Sequence, residues 1–453
     1  MSAGTPAEAT AAPQDPLAIV RTRGYVSVLV VSALLGVPIS AGAYGFLVLV
    51  SELQSLVFND LPKGLGFHGT PDWWAIPPLA VAGVLVALTI RYLPGSGGHK
   101  PAEGLKTGGT PSFAAVPGVA IAAIASLSLG VVLGPEAPLI ALGGGLAVGA
   151  VRLLKRNAAP SAVAVIGAAG SFAAISELLG SPLVGAFLLM EASGLGGPMM
   201  GVVLVPGLLS AGVGSLIFTG LDAWTGLGTY SLTLTHVPAT ERPTVGAFAW
   251  AIVAGVVAAL LGEAIRRSSL TLQGLVDRHR LPLSVLMGLV IGVIGLLYAV
   301  ITGRPATGVL FSGQDGLGPL LADSAGYTAA TLIVLLVCKS LAYCVSMSAF
   351  RGGPVFPAVF VGAAGGLALS HLPGLGTTAG FAIGIGAMTV AMLKLPMTSV
   401  LLATLLLGTA GLTVMPLVIV AVVMAYVGTL RLARPPAGPP PAQARPTPAA
   451  PAA

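Results

Sequence analysis

Apolar residues in this chain come in long runs, without the alternation that marks strands. Stretches able to cross a hydrocarbon core of about 20 helical residues occupy 25–53, 73–93, 113–133, 199–219, 244–263, 282–302, 328–349 and 415–433, and each is predicted to form a membrane helix. A second set, 135–152, 161–177, 182–193, 354–371, 376–391 and 395–411, carries Pro or Gly every few residues. Several of these are shorter than a full crossing. In lipid a broken helix leaves backbone N–H and C=O groups unpaired, so it persists only when buried in protein or facing a water-filled cavity. The pattern predicts an all-α integral membrane protein with broken and re-entrant helices around a cavity at membrane depth. Residues 1–20 and 434–453 are Ala/Pro-rich and lack an apolar face, so they are expected to be disordered. The tail after Arg434 is too short for a cytoplasmic regulatory domain.

The same phrase occurs twice. Gly134-Pro135-Glu136-Ala137-Pro138 closes at Gly143, and Gly353-Pro354-Val355-Phe356-Pro357 closes at Gly362. Each is followed by a second Pro-headed apolar segment, beginning at Pro182 and at Pro396. The offsets, 353−134 = 219 and 396−182 = 214, agree within five residues. This is a duplication, with a first membrane repeat over 21–220 and a second over 221–433. Transporters built from repeats place their ion sites near the bilayer midplane, where broken helices point their ends at the ion.

The chemistry of the phrase sets the sign of that ion. Gly permits a sharp turn without a Cβ clash, and Pro suits the first helical position, where its missing N–H costs nothing. Each phrase therefore reads as a helix N-terminus, whose free N–H groups and dipole attract an anion. Two such termini converging in a membrane make an anion site without a full positive charge, and a full charge would hold the ion too tightly for fast passage.

Composition agrees with lipid surroundings: 8% of the 453 residues are charged and 55% are hydrophobic. The net charge of +6 arises from short clusters such as Arg21 with Arg23, Lys155 with Arg156, and Arg266 with Arg267. These are too sparse for a nucleic-acid face. Lying between apolar spans, they orient the chain by the positive-inside rule. Arg21 and Arg23 before the first span, with Arg431 and Arg434 after the last, predict both termini in the cytoplasm, and the expected location is the plasma (inner) membrane, crossed many times. Cys338 and Cys344 fit no metal or redox spacing and read as packing residues. Neither a metal nor another cofactor is expected.

At the repeated phrases the chain resembles the CLC family of chloride channels and chloride/proton antiporters, as a divergent prokaryotic-type member. The resemblance covers roughly 25–433. It implies an antiparallel repeat, a homodimer with one pore per subunit, and permeation of chloride and related anions. The family's Gly-Arg-Glu-Gly-Pro signature is met with Pro135 for Arg and Ala137 for Gly, which makes Glu136 the gating and proton-accepting glutamate. Its Gly-x-Phe-x-Pro signature is met by Gly353-Pro354-Val355-Phe356-Pro357, with Val355 at the Phe position and Phe356 displaced by one. The anion-binding set implied is Ser96, Gly97, Gly134, Pro135, Ala137, Gly353, Val355 and Phe356. Pro354 has no N–H to offer.

The Gly-Ser-Gly-Ile-Pro signature is met loosely by Gly95-Ser96-Gly97-Gly98-His99-Lys100-Pro101, with either Ser96 or Gly98 at the serine position. His99 and Lys100 belong either to the inner anion route or to a solvated basic loop. Glu191 matches the first of two family glutamates and Ala192 stands at the second, the inner proton-transfer position of many exchangers. Glu191 serves either that route or a helix cap. The family's inner tyrosine has no counterpart, because no tyrosine follows Tyr426. Exchange and passive conduction both remain open, as does fluoride as the anion. An intramembrane enzyme using Glu136 with His99 or His279 is a remote alternative, since no His-Glu-x-x-His spacing occurs. A cation transporter would need more carboxylates than Glu136 and Glu191.

Overall fold

The structure is a computed structural model describing residues 18, 20–105, 111–194, 197–234, 236–240 and 242–433. The expectation of disorder in the terminal segments falls almost wholly outside these residues. The described chain is helical, and its principal helices form two series of seven. The first is α1 (Arg23–Ser55), α2 (Ile76–Tyr92), α3 (Val116–Ser128), α4 (Glu136–Leu154), α5 (Pro160–Ala174), α6 (Pro182–Ser193) and α7 (Pro198–Thr225). The second is α8 (Val245–Arg278), α9 (Arg280–Thr302), α10 (Ala329–Ala349), α11 (Val355–Ser370), α12 (Thr377–Leu393), α13 (Pro396–Leu406) and α14 (Gly408–Leu432). The series divide in the connection 226–244, so a boundary at 220 would cut the last turns of α7.

Packing repeats as the sequence does. Helix α1 packs on α5 and α7, α4 on α5, and α6 on α7; correspondingly, α8 packs on α12 and α14, α11 on α12, and α13 on α14. Two of these contacts use glycine at equivalent positions. A Cβ on Gly143 would stand 2.4 Å from Gly170 O, and one on Gly362 would stand 2.3 Å from Gly384 O. The spacings 362−143 = 219 and 384−170 = 214 reproduce the offsets of the duplicated phrases. Small residues thus let backbones touch where neighbouring lipid supplies no hydrophobic drive to associate.

Among the described residues, eight helices are long and apolar enough to cross a membrane. Two predictions are revised. The run 113–133 is not one helix: α3 stops at Ser128, Gly130 takes φ +97°, and Val131–Leu133 continue as fully buried chain leading to the repeated phrase. The interrupted stretch 135–152 is instead the unbroken helix α4. Its glycines are contact points, with Gly145 against Val116 and Gly149 against the Phe113 ring.

The ends of the bundle differ in charge. At one end Tyr25 donates to Val202 O, Glu191 meets the start of α13, and Arg267 meets Leu432 O. The start of α1 and the end of α14 therefore share an end that also carries Lys100, Arg266 and Arg280. At the other end Tyr44 bonds Thr225 and Arg304 faces Asp323, and the acids Glu52 and Asp315 lie around Tyr230.

Candidate functional site

The two phrases meet. Gly134 and Gly353 form an antiparallel bridge, with Gly134 N–H donating to Gly353 O at 2.8 Å and Gly353 N–H to Gly134 O at 2.6 Å. Helices α4 and α11 begin immediately afterwards, with Pro135 and Pro354 as the residues preceding the first helical turn. Pro138 and Pro357 fall inside that turn, where N–H groups lack intrahelical partners and proline forfeits nothing. The expectation of proline at the first helical position thus shifts by one residue. The bridge also revises the expectation for Gly134 and Gly353 themselves. Their amides are spent on each other, so they hold the two helix starts together and offer no N–H to a ligand in this conformation.

Glu136 is the first residue of α4 and is fully buried. Its carboxylate does not cap its own helix alone. Oε1 accepts the Val355 N–H at 2.5 Å, and the amides of Glu136 and Phe356 also face the carboxylate. A negatively charged side chain of one repeat thus occupies the N-terminus of the opposite repeat's helix. Oε2 has no hydrogen-bond partner among the described residues. The space around the carboxylate exists because two residues lack side chains: a Cβ on Gly134 would stand 2.0 Å from Oε2, and one on Gly353 would stand 2.0 Å from Cδ. Phe356, fully buried, closes the site against Gly134.

One residue of this site was not foreseen. Tyr343, on α10, is fully buried, donates its hydroxyl to Pro354 O at 2.8 Å and lies close enough to Glu136 to feel its charge. The family resemblance points instead to a tyrosine after the last span, where this chain has none. The signal for Tyr343 was its place on the helix leading directly into the second phrase.

The remaining candidates spread toward the basic end. Ala137 lines a mostly apolar cavity of about 820 Å3 whose far wall includes His99, Ser112 and Met190. His99 Nε2 lies 2.6 Å from Gly104 O. Ser96 is exposed with φ +51°, flanked by Gly95 and Gly97, also at positive φ. Lys100 pairs with Asp277 at 2.8 Å, which fits the solvated-loop reading. A second cavity, of about 430 Å3, lies across the 101–105 loop and reaches Pro354; Arg266, Lys394 and Glu103 line it. Glu136 meets the Val355 amide and His99 meets the Gly104 carbonyl.

Glu191 has both oxygens engaged. Oε1 accepts Met397 N–H at 3.0 Å, and Oε2 accepts Thr398 N–H at 2.9 Å and the Thr398 hydroxyl at 2.7 Å. It caps α13 of the other repeat, matching the capping reading. Glu191→Ala is expected to lower stability in detergent by about 1–2 kcal/mol, the scale of a lost cap, and to leave the pH dependence of transport unmoved. Thermal melting and a flux assay on the same preparation check both halves.

The profile of the voltage-gated chloride channel family matches residues 79–429. YfeO of Escherichia coli O139:H28 (strain E24377A / ETEC), named for ion transport, is 30% identical over 336 residues, covering 72% of this chain and 75% of that protein. Among solved structures, the crystal structure of a slow cyanobacterial Cl−/H+ antiporter superposes with a TM-score of 0.71 at 18% identity, covering 89% of this chain and 94% of the other. That of a CLC-type fluoride/proton antiporter gives 0.65, also at 18% identity, covering 89% and 95%.

Proposed function

Because the chain belongs to the voltage-gated chloride channel family, we propose that it exchanges chloride or a closely related anion for protons across a membrane, with Glu136 as gate and proton acceptor. The observation that carries this reading is the Glu136 carboxylate seated on the Val355 amide, at the start of the other repeat's helix. A helix N-terminus in a water-poor setting attracts negative charge, and the carboxylate supplies it from within the protein. It therefore competes with a soluble anion for the same donors. Protonation removes the side chain's charge, weakens its hold on the amide and cedes the place to the anion. The unpartnered Oε2 is available for the proton. Val355 and Phe356 supply the amides, while Gly134 and Gly353 supply the space.

The likeness in fold to two proton-coupled antiporters supports exchange over passive conduction, and one of them being a fluoride transporter makes fluoride the second anion to test. We place the protein as a homodimer in the plasma (inner) membrane, with its basic end and both termini in the cytoplasm, in keeping with the positive-inside rule. Reconstitution tests the function directly. In proteoliposomes, a chloride gradient is expected to drive protons uphill. Chloride flux that leaves protons at equilibrium would mean a channel, and absence of any anion flux would overturn the reading.

A further inference from the structure

The repeats are unequal in charge at two matched positions near the bridge. At the offset of 219, Glu136 corresponds to Val355 (355−136 = 219) and Val132 to Arg351 (351−132 = 219). Their backbones are treated alike. Val132 N–H donates to Ser346 Oγ at 3.1 Å, and Arg351 N–H donates to Ser126 Oγ at 3.2 Å, each reaching into the other repeat. Both side chains are buried, Val132 at 0% and Arg351 at 3% exposure. The scaffold thus accepts an aliphatic residue at this position in the first repeat. The guanidinium in the second is an addition that the backbone arrangement does not require.

Among the described residues, that guanidinium donates to neutral carbonyl acceptors. Nε donates to Ser96 O at 3.2 Å and Nη1 to Phe350 O at 3.2 Å. No ion pair to Arg351 occurs among the described residues. Asp277 on α8 and Glu103 in the turn Pro101–Glu103 face it from farther away, and Arg280 on α9 opposes it as a like charge. Asp277 is already held by Lys100 and Arg280. A buried cation without a counter-ion is strongly unfavourable. The loop that meets the guanidinium is itself accessible, since Gly95 and Ser96 are exposed.

We propose that Arg351 is the fixed cation of a second anion subsite, between the Ser96–Gly97 loop and Gly352, and that the transported anion is its counter-ion. The proposal rests on the transport reading above. Arg351 stands two residues before one bridging glycine and Glu136 two residues after the other. One charge attracts the anion on the basic-end side of the bridge, and the other yields its place to it at the helix N-terminus. A full charge holds an anion more firmly than amides do, so this subsite favours occupancy over speed.

Two variants separate charge from structure. Arg351→Val copies the residue that the first repeat carries in the same backbone setting, and Arg351→Lys keeps the charge while losing the planar donor geometry. Chloride binding to purified protein by calorimetry, and the half-saturating chloride for flux in proteoliposomes, are read for each. Arg351→Val is expected to weaken chloride affinity about tenfold or more, the scale of a lost charge-assisted contact, and Arg351→Lys to retain most of it. Chloride is expected to raise the melting temperature of the wild type and of Arg351→Lys, with little effect on Arg351→Val. Unchanged affinity in Arg351→Val overturns the proposal. So does an Arg351→Lys protein as impaired as Arg351→Val, because that outcome assigns the residue to packing. Either result leaves anion transport by the wild type standing, whereas a wild type that neither binds nor moves chloride removes the transport reading as well.

Discussion

Glu136→Gln is expected to abolish chloride-driven proton movement while leaving chloride flux intact and indifferent to pH. The glutamine keeps an oxygen that can accept the Val355 N–H, but it carries neither the charge that competes with an anion nor a site that exchanges protons. The wild type behaves otherwise. With Glu136 ionised its carboxylate is expected to hold the Val355 amide and keep flux low, and protonation as pH falls is expected to release that hold and raise flux. Removing a charge-assisted hydrogen bond of this kind is worth about 1.5–3 kcal/mol, enough to change occupancy of the site by one to two orders of magnitude. Paired measurements of chloride efflux and proton uptake across a pH range give both quantities. A variant that still couples protons would move the acceptor to another residue.

The second large effect comes from a single methyl group. A Cβ on Gly353 would stand 2.0 Å from Cδ and 2.1 Å from Oε1 of Glu136, with Cγ at 2.5 Å. Since atoms cannot approach so closely, Gly353→Ala must expel the carboxylate from the Val355 amide or force the bridge apart. Overpacking of this kind typically costs about 1–3 kcal/mol. The expected result is a less stable protein whose chloride flux has lost its pH dependence. The double variant Gly353→Ala with Glu136→Ala removes the colliding carboxylate, so much of the stability should return. Residues in contact give such non-additive cycles. Strict additivity in thermal melts would show that the glycine is needed for something other than room for Glu136.

Much of this architecture was readable from residue spacing. The offsets of 219 and 214 link the two phrases, and the bridge between Gly134 and Gly353 and the glycine contacts of α4 with α5 and of α11 with α12 repeat those spacings. Spacing does not say which amide faces which acceptor. Gly134 and Gly353 belonged to the expected ligand set, yet in the folded chain their N–H groups satisfy each other. Hydropathy also misjudged two elements. It counts Gly143, Gly145 and Gly149 as interruptions of α4, where they are points of close approach, and it cannot distinguish the buried non-helical chain 131–133 from more helix. Tyr343 is one aromatic residue in an apolar run, and its place on the helix leading into the second phrase is the only pointer the chain offers to its contact with Pro354 O. Arg351 was legible in principle. Comparing the repeats position by position sets it against Val132, a comparison that the shared glycines and prolines had overshadowed.

In the proposed mechanism one place, the amide-rich start of α11, is held alternately by the Glu136 carboxylate and by a transported anion. Crystals grown with bromide at acidic pH test it most directly, because anomalous scattering locates the ion independently of the protein. A bromide peak is expected beside the Val355 and Phe356 amides, with the Glu136 side chain turned away. A carboxylate still seated on Val355, with bromide bound elsewhere or not at all, would contradict it.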